Sequence, residues 1–281
     1  MSNTIFPCFW CDGNAKEVAE FYCRVFKDSQ ILEENPMVVT FQASGEKFMC
    51  LNGGPEFQIT PSISIYTIID SEEEIQAIWD LLIQGGSEMM PLDTYPWSKK
   101  YGWVKDRFGV TWQLTLDKPE HSDQKFIPCL MFSEGNFGKA EAAINFYTTI
   151  FEGSSLVFAA NYGKEHGEQE GKIMHAQFFL RGKLFAVMDS SIVHGFNFNE
   201  GFSLVASCDQ QQQIDHYWDM LTKNGTESMC GWLKDQFGVS WQIVPANLGR
   251  LVADPIRGKE VITEFMKMKK LDLAQLEKAG T

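Results

Sequence analysis

The chain of 281 residues lacks any apolar run of the roughly 18 residues that a membrane-spanning helix needs, so we expect no transmembrane segment. Its first residues, Met1 to Thr4, have neither a basic stretch nor a long apolar stretch, and they predict no signal peptide. Cations are also few, because 24 Lys and Arg stand against 37 Asp and Glu, for a formal net charge of -13. An acidic protein without a basic patch repels phosphate, so we expect no nucleic-acid binding.

Cysteine is present, but not at the spacing of a disulfide framework. The seven cysteines are an odd number spread from Cys8 to Cys230, which favours reduced thiols and a cytoplasmic location. Two residues separate Cys8 from Cys11, yet no second pair follows to complete a zinc site. Buried positions of an apolar strand explain these two cysteines better.

An internal repeat is the clearest organising pattern. Residues 102–113 (GWVKDRFGVTWQ) return as residues 231–242 (GWLKDQFGVSWQ) with nine of twelve positions identical. Phe6-Pro7-Cys8 likewise returns as Ile127-Pro128-Cys129. The sequence therefore predicts one module over residues 1–120, a second over 121–249 and a helical tail over 250–281.

Two segments distinguish the copies. The second copy is longer near residues 161–172, and it has no counterpart of residues 91–101. Both segments are polar and contain Gly or Pro, which is typical of loops. Tyr95, Trp97 and Tyr101 lie in the segment found only in the first copy. They could form a lid or a stacking platform beside a cleft, or pack on the neighbouring module, and the sequence leaves both open.

Hydrophobic periodicity within one copy predicts an α+β fold. Apolar residues at helical spacing predict a helix over 15–26, after a β-prone segment over 5–11. Ser71 and Glu74 have capping-box spacing at the start of a second helix. The pattern over 258–279 predicts one amphipathic C-terminal helix, which packs on a module or contacts a second chain in a homodimer. Further strands are predicted over 37–43, 47–51, 62–69 and 102–115, and from Glu88 onward.

The string Asp106-Arg-Phe-Gly-Val-Thr-Trp-Gln113, with Phe6-Pro-Cys-Phe-Trp10 before it, resembles the PhnB-like branch of the vicinal oxygen chelate superfamily. That superfamily includes glyoxalases, bleomycin-resistance proteins and dioxygenases, and this branch is often labelled 3-demethylubiquinone-9 3-methyltransferase. The resemblance covers residues 5–118 and 126–247. It implies two tandem βαβββ modules whose curled sheets enclose a small-molecule ligand.

The resemblance also implies where a metal would be held. Metal-binding members place ligands on the first and last strands of each module, typically with a Glu on the last. Gln113 and Gln242 stand at the last-strand position, and Pro7 and Pro128, which have no side-chain donor, fall near the first. Neutral amides are weak ligands for Zn²⁺ or Fe²⁺. We therefore expect a small-molecule-binding protein without a cofactor, with a divalent-metal lyase, isomerase or oxygenase as the alternative.

Methyl transfer, the reaction in the label, is the weaker alternative. A site for S-adenosylmethionine usually has a Gly-rich turn after the first strand of an alternating β/α chain. Gly53-Gly54 and Gly85-Gly86 are isolated pairs outside that context.

Apart from Tyr95 and Trp97, the candidate ligand-binding residues lie on predicted strands. Gln113 and Gln242 are either amides that face a cleft or half-buried strand residues bonded to nearby backbone. Cys8 and Cys129 recur on the first strand of each copy, where Trp10 shares the parity of Cys8. A buried thiol is favoured over a nucleophile, because no His recurs to activate it.

His175 stands alone on a predicted strand of the second copy, where the first copy has Val38. It is either a general base near neutral pH or a hydrogen-bonded structural residue. Trp112 and Trp241 alternate with the two glutamines, so we expect them on the opposite side of the sheet, in the core.

Overall fold

The computed structural model describes residues 5–280. In each copy, a strand, a helix and three further strands follow one another in this order, and the order occurs two times. This arrangement confirms the α+β class. The first copy contains β1 (Ile5–Cys11), α1 (Ala15–Val25), β2 (Ser29–Glu34), β3 (Val38–Ala43), β4 (Glu46–Asn52), β5 (Ile63–Ile69), α2 (Glu72–Leu82), β6 (Ser87–Tyr95), β7 (Ser98–Lys105) and β8 (Thr111–Leu116).

The second copy repeats this order and is followed by short helices. It contains β9 (Phe126–Phe132), α3 (Ala140–Ile150), β10 (Ser155–Asn161), β11 (Ile173–Leu180), β12 (Lys183–Asp189), β13 (Phe202–Cys208), α4 (Gln211–Thr222), β14 (Thr226–Glu227), β15 (Trp232–Lys234) and β16 (Ser240–Pro245), then α5 (Leu248–Val252), α6 (Gly258–Phe265) and α7 (Leu273–Ala279). Short 3₁₀ helices cover Glu134–Asn136 and Lys164–Gln169. Among the described residues, no helix combines the length and the apolar character needed to cross a bilayer.

The chain divides into two compact units, and the larger is Phe9–Phe202. It contains an eight-stranded sheet in the order β10-β11-β12-β9-β5-β8-β7-β6. The pairs β5–β8 and β12–β9 are parallel, whereas β5 and β9 are antiparallel. Half of this sheet therefore comes from the end of the first copy and half from the start of the second.

The two faces of this sheet differ in what covers them. On one face, hereafter the outer face, the Trp79 ring of α2 lies so close to Gly102 that a Cβ there would clash with it. Tyr147 of α3 stacks on Phe178 of the same face, with ring centroids 6.5 Å apart. The opposite side, hereafter the inner face, carries Gln113 and Cys129, because side chains alternate along each strand. The helices thus pack on the outer face.

The second unit consists of residues up to Cys8 and from Ser203 onward. Its strands have the order β14-β15-β16-β13, with β13 and β16 parallel. Leu271 and Leu276 form a small core of their own with Val261 and Leu251. The C-terminal helices therefore pack on one another as well as on the strand that precedes them.

The prediction of a single helix over 258–279 was wrong. α6 ends at Phe265 and α7 begins only at Leu273. The Asp272 side chain caps α7 by accepting from the Gln275 N–H at 2.9 Å. Gln211 binds the Leu271 carbonyl and the Leu273 N–H, so backbone groups that would continue one helix are taken by a side chain.

The segment 91–101, predicted as a loop, forms a β-hairpin from β6 and β7. The pairing has register shifts between Glu88 and Tyr95, and Pro91 lies on the edge strand, where a missing N–H is tolerated. β2 was not predicted, because four of its six residues are polar and four are exposed, which gives only a weak alternation.

Candidate functional site

The inner face of the large sheet is strongly curved. The rings of Tyr66 on β5 and His175 on β11 have centroids 5.8 Å apart, although β9 and β12 lie between their strands. Adjacent strands are spaced about 4.8 Å apart, so β5 and β11 would be roughly 14 Å apart in a flat sheet. The sheet must curl for these rings to meet, which makes the inner face concave.

Aromatic rings continue across this face toward one edge of the sheet. Phe158 on β10 lies 5.6 Å from His175, and His121 lies 6.1 Å from Phe158. Phe158 is 36% exposed, so the series ends at solvent. Burial lowers the pKa of His175 to about 4, which leaves its imidazole neutral at pH 7.

Gln113 lies on the inner face of β8 and is 3% exposed. Its Oε1 accepts from the Tyr101 hydroxyl at 2.8 Å, and its Nε2 donates to Ser64 Oγ at 2.7 Å. Both ends of the amide are therefore held by side chains on neighbouring strands. Neither side-chain partner of Gln113 was predicted from the sequence, which suggested backbone partners.

Cys129 lies opposite Ser64 in the sheet register and is 1% exposed. Burial raises the pKa of its thiol to about 12, and hydrogen bonds with Gln113 and Ser64 offset this only in part. A protonated thiol is a poor nucleophile. The polar cluster of Ser64, Gln113 and Cys129 is therefore uncharged at neutral pH.

Two buried polar atoms on the inner face have no hydrogen-bond partner within residues 5–280: Trp103 Nε1 and Thr111 Oγ1. Trp103 lies opposite Gln113 in the register, and Thr111 precedes Gln113 by two residues on β8. Buried polar groups are normally bonded, so each of these orphaned atoms points to a missing partner.

Gln177 adds a third polar group to the same face. It lies opposite Ala186, which in turn lies opposite Cys129. Gln177 is 8% exposed, and its amide makes no hydrogen bond to any residue of the described part of the chain. Trp103, Thr111 and Gln177 were not predicted as candidates from the sequence. For Gln177, the sequence did contain a signal: it lies two residues after His175 on the same strand, so both side chains face the same side of the sheet.

Tyr95 and Trp97 lie at the tip of the β6–β7 hairpin. Their rings stack at 5.0 Å, and both contact Tyr101. Trp97 is largely exposed, whereas Tyr101 reaches Gln113. The hairpin thus connects an exposed aromatic pair to the polar cluster of the inner face.

Trp10 contacts the loop that contains Gly54 and Phe57, and makes no hydrogen bond to Ser64, Gln113 or Cys129. Its Nε1 donates to the Gly54 carbonyl at 2.7 Å, and its ring meets Phe57 edge-on at 4.9 Å. Gly53 is required here, because a Cβ would overlap the Trp10 ring. The indole N–H of Trp10 is therefore already bonded.

Gln242 and Cys8 lie in the second unit. Gln242 is buried on β16, and its Nε2 donates to Ser203 Oγ at 3.0 Å, as Gln113 does to Ser64. Cys8 is buried as well. The repeat therefore preserves the Gln–Ser hydrogen bond in both copies.

The repeated motif has a structural role that its geometry explains. Asp106 Oδ1 accepts from the N–H groups of Phe108 and Val110, and Oδ2 accepts from Trp112 Nε1 at 2.9 Å. Burial raises the pKa of Asp106 to about 6 in spite of these bonds. Gly109 has a φ of +89°, which favours glycine, so the string encodes a turn fixed by one carboxylate.

Asp235 makes the same bonds in the second copy, to Phe237, Val239 and Trp241. Trp112 and Trp241 are both fully buried, as expected of core residues.

The residues present do not fit the metal site that the superfamily implies. Pro128 lies opposite Ile65, which places its ring on the outer face, away from Gln113. The amide oxygen of Gln113 is already bonded to Tyr101. No group of three or more His, Cys, Asp or Glu suited to hold a metal occurs within residues 5–280. Catalytic zinc usually takes three such ligands.

Comparisons with known proteins identify relatives of both copies. A family model described as 3-demethylubiquinone-9 3-methyltransferase matches residues 3–115 and 124–244. A structure from Bacillus cereus, described as a putative 3-demethylubiquinone-9 3-methyltransferase, PhnB protein, is 37% identical over 42% of this chain and 100% of its own, with a TM-score of 0.37. No curated protein matches the chain.

Glyoxalase I from Zea mays is 12% identical over 85% of this chain and 92% of its own, with a TM-score of 0.56. That likeness shows a glyoxalase-like fold across most of the chain. A glyoxalase-related enzyme from Fulvimarina pelagi is 18% identical over 45% of this chain and 97% of its own, with a TM-score of 0.36.

Proposed function

Since this chain belongs to the 3-demethylubiquinone-9 3-methyltransferase family, a PhnB-like family with a glyoxalase-like fold, we propose that it binds a small molecule on its concave inner face. We further propose that it does so without the divalent metal of other vicinal oxygen chelate proteins. The ligand would lie between the aromatic rings of Tyr66, His175 and Phe158 and the polar groups on β7 and β8.

One observation carries this proposal: Trp103 Nε1 and Thr111 Oγ1 are buried on the same concave face without a hydrogen-bond partner among residues 5–280. An unmet buried polar group costs about 1–3 kcal/mol of stability. A bound molecule that hydrogen-bonds to both would remove that cost. Binding sites are typically concave and mostly apolar with a few such polar groups.

The donor chemistry supports the metal-free form of the proposal. Gln113 is neutral, and its amide is already bonded to Tyr101 and Ser64. Recruiting its oxygen for a metal would break one of these bonds in exchange for a weak ligand. Methyl transfer, which the family description names, receives no support from the strand order, because the large sheet has neither an alternating β/α order nor a Gly-rich strand-to-helix turn.

Elemental analysis of protein purified without a His tag, combined with thermal-shift measurements, tests this function. We expect less than one-tenth of a metal ion per chain and no thermal shift with Zn²⁺, Mn²⁺, Fe²⁺ or Ni²⁺. Stoichiometric metal would overturn the metal-free proposal and favour the lyase, isomerase or oxygenase alternative. Saturable binding of S-adenosylmethionine in calorimetry would instead favour methyl transfer.

A further inference from the structure

We infer that the inner face takes an uncharged molecule, with a ring as its body and with polar groups that hydrogen-bond to Trp103, Thr111 and Gln177. This inference rests on the proposed function, because it names the class of ligand for the same site. It follows from three properties of the face: its lack of charge, its rings and the placement of its unpaired polar groups.

On β5, β8, β9, β11 and β12, the inner face carries no side chain that is charged at neutral pH. The polar positions of these strands include Ser64, Tyr66, Thr111, Gln113, Cys129 and Gln177. Charged side chains that share this face, Lys99 and Lys105 on β7 and Asp93 on β6, are exposed, as is Asp117 beyond β8.

Two ionisable groups inside the face are also held neutral by burial. The pKa of Cys129 is raised to about 12, and that of His175 is lowered to about 4. An ionic ligand would have to leave water without gaining a counter-charge, which is costly in an apolar site. A neutral ligand avoids that cost.

The rings provide a surface for the body of such a ligand. Tyr66, His175 and Phe158 lie in series with centroid distances of 5.8 and 5.6 Å. A ring of the ligand can pack against this series by stacking or edge contacts, which are favourable for aromatic pairs. Phe158, at the exposed end, marks the side from which the ligand would enter.

The unpaired polar groups lie on opposite arms of the curled sheet. Trp103 and Thr111 are on β7 and β8, whereas Gln177 is on β11, with β5, β9 and β12 between them. Trp103 offers only a donor, so it requires an acceptor such as a carbonyl oxygen. Gln177 offers both a donor and an acceptor. A neutral amide or ketone on a ring therefore complements this face better than a hydrocarbon does.

Four single-ring probes of similar size separate these properties: benzamide, benzoate, benzylamine and toluene. Each is titrated into the full-length protein at pH 7, and binding is followed by saturation-transfer NMR. We expect the apparent Kd of benzamide to be at least fivefold lower than that of each of the other three. Equal or tighter binding of benzoate, benzylamine or toluene would overturn the inferred class while leaving a ligand site in place. Absence of binding by all four would overturn it too.

Variants connect the preference to the named side chains. Trp103→Phe and Gln177→Met should each weaken benzamide binding roughly two- to tenfold, the loss expected from one buried hydrogen bond. The apparent Kd of toluene should stay within twofold of its wild-type value. A general loss of structure would weaken the binding of both probes. Trp218→Phe and Gln76→Met are the controls, since their side chains already bond to Glu227 and Asp80 elsewhere in the chain. An unchanged benzamide Kd in both test variants would contradict the assignment.

The metal analysis keeps the two proposals distinguishable. Stoichiometric metal in the purified protein contradicts the proposed function, whatever the probes do. In metal-free protein, binding of a charged or apolar probe as tight as that of benzamide, or tighter, contradicts only the ligand class.

Discussion

The Tyr101 hydroxyl donates to Gln113 Oε1 at 2.8 Å and thereby fixes which end of the amide faces Ser64. Gly102 and Gly231 are equivalent positions of the repeat, so Cys230 stands where the second copy would need this tyrosine. The Gln–Ser bond is thus common to both copies, but the hydroxyl that orients the glutamine belongs to the first. This asymmetry follows from the segment 91–101, which only the first copy has.

Tyr101→Phe tests how much the hydrogen bond from Tyr101 to Gln113 contributes to the stability of the fold. Removing the hydroxyl leaves Gln113 Oε1 buried without its partner, so we expect the free energy of unfolding in urea to fall by about 1–2 kcal/mol. Tyr95→Phe is the control, because its hydroxyl bonds to the Pro91 carbonyl at an exposed site. That variant should change stability by less than about 0.5 kcal/mol. Equal changes in the free energy of unfolding for the two variants would show that the Tyr101–Gln113 bond stabilises the fold no more than an exposed hydrogen bond does.

Thr111→Val tests whether the orphaned hydroxyl is kept at a cost to stability. Valine has nearly the same shape, and Thr111 Oγ1 has no partner among the described residues, so we expect unfolding to require up to about 1 kcal/mol more. Thr67→Val, on the neighbouring strand, removes a hydroxyl that donates to the Ile65 carbonyl at 3.3 Å. The control should be neutral or destabilising. A destabilised Thr111→Val would mean that the hydroxyl is satisfied in solution.

In the second copy, the C-terminal tail binds the backbone at the position where β6 pairs with β7 in the first copy. β6 pairs with Tyr101 through Asp93. At the equivalent Cys230, the N–H donates to the Met268 carbonyl at 2.7 Å instead. The tail therefore protects a strand edge of the second copy, which would otherwise present unpaired backbone groups.

Leu271→Ala should loosen this tail. Leu271 is fully buried among the C-terminal helices, so its truncation should lower the free energy of unfolding by about 2–5 kcal/mol. Ile262→Ala, at an exposed position of α6, should cost less than about 1 kcal/mol. Hydrogen exchange should also become faster at the Cys230 and Gly231 amides in the first variant. Unchanged exchange there would argue against the tail as an edge cover.

The sequence predicted the repeat, the fold class and most helices and strands, because apolar periodicity and the Ser71 cap are local signals. Ser71 Oγ accepts from the Glu74 N–H as its spacing suggested. The hydrogen-bond partners of Gln113, and the lack of partners for Trp103 Nε1 and Thr111 Oγ1 among the described residues, could not be predicted from the sequence. They depend on which strands become neighbours and how far the sheet curls, and no local pattern carries that information.

Glu46 lies at the start of β4 and is 9% exposed. Its Oε1 accepts from the backbone N–H groups of Lys125 and Phe126, at 2.8 and 3.1 Å, and so connects the first copy to the start of the second. Burial raises the pKa of Glu46 to about 7, and these bonds and the charge of Lys183 offset this only in part.

A raised carboxyl pKa means that the folded state binds the proton more tightly than the unfolded state. The contribution of Glu46 to stability is therefore complete below its unfolded pKa and is lost as pH rises through about 7. We expect the free energy of unfolding to fall by about 1 kcal/mol between pH 6 and pH 8 through this group. Glu46→Gln should abolish that fall, because an uncharged amide oxygen still accepts both N–H groups, whereas the exposed Glu88→Gln should retain it. Urea unfolding of the three proteins at both pH values measures the difference. The same pH dependence in Glu46→Gln as in the wild type would assign the titration to another group.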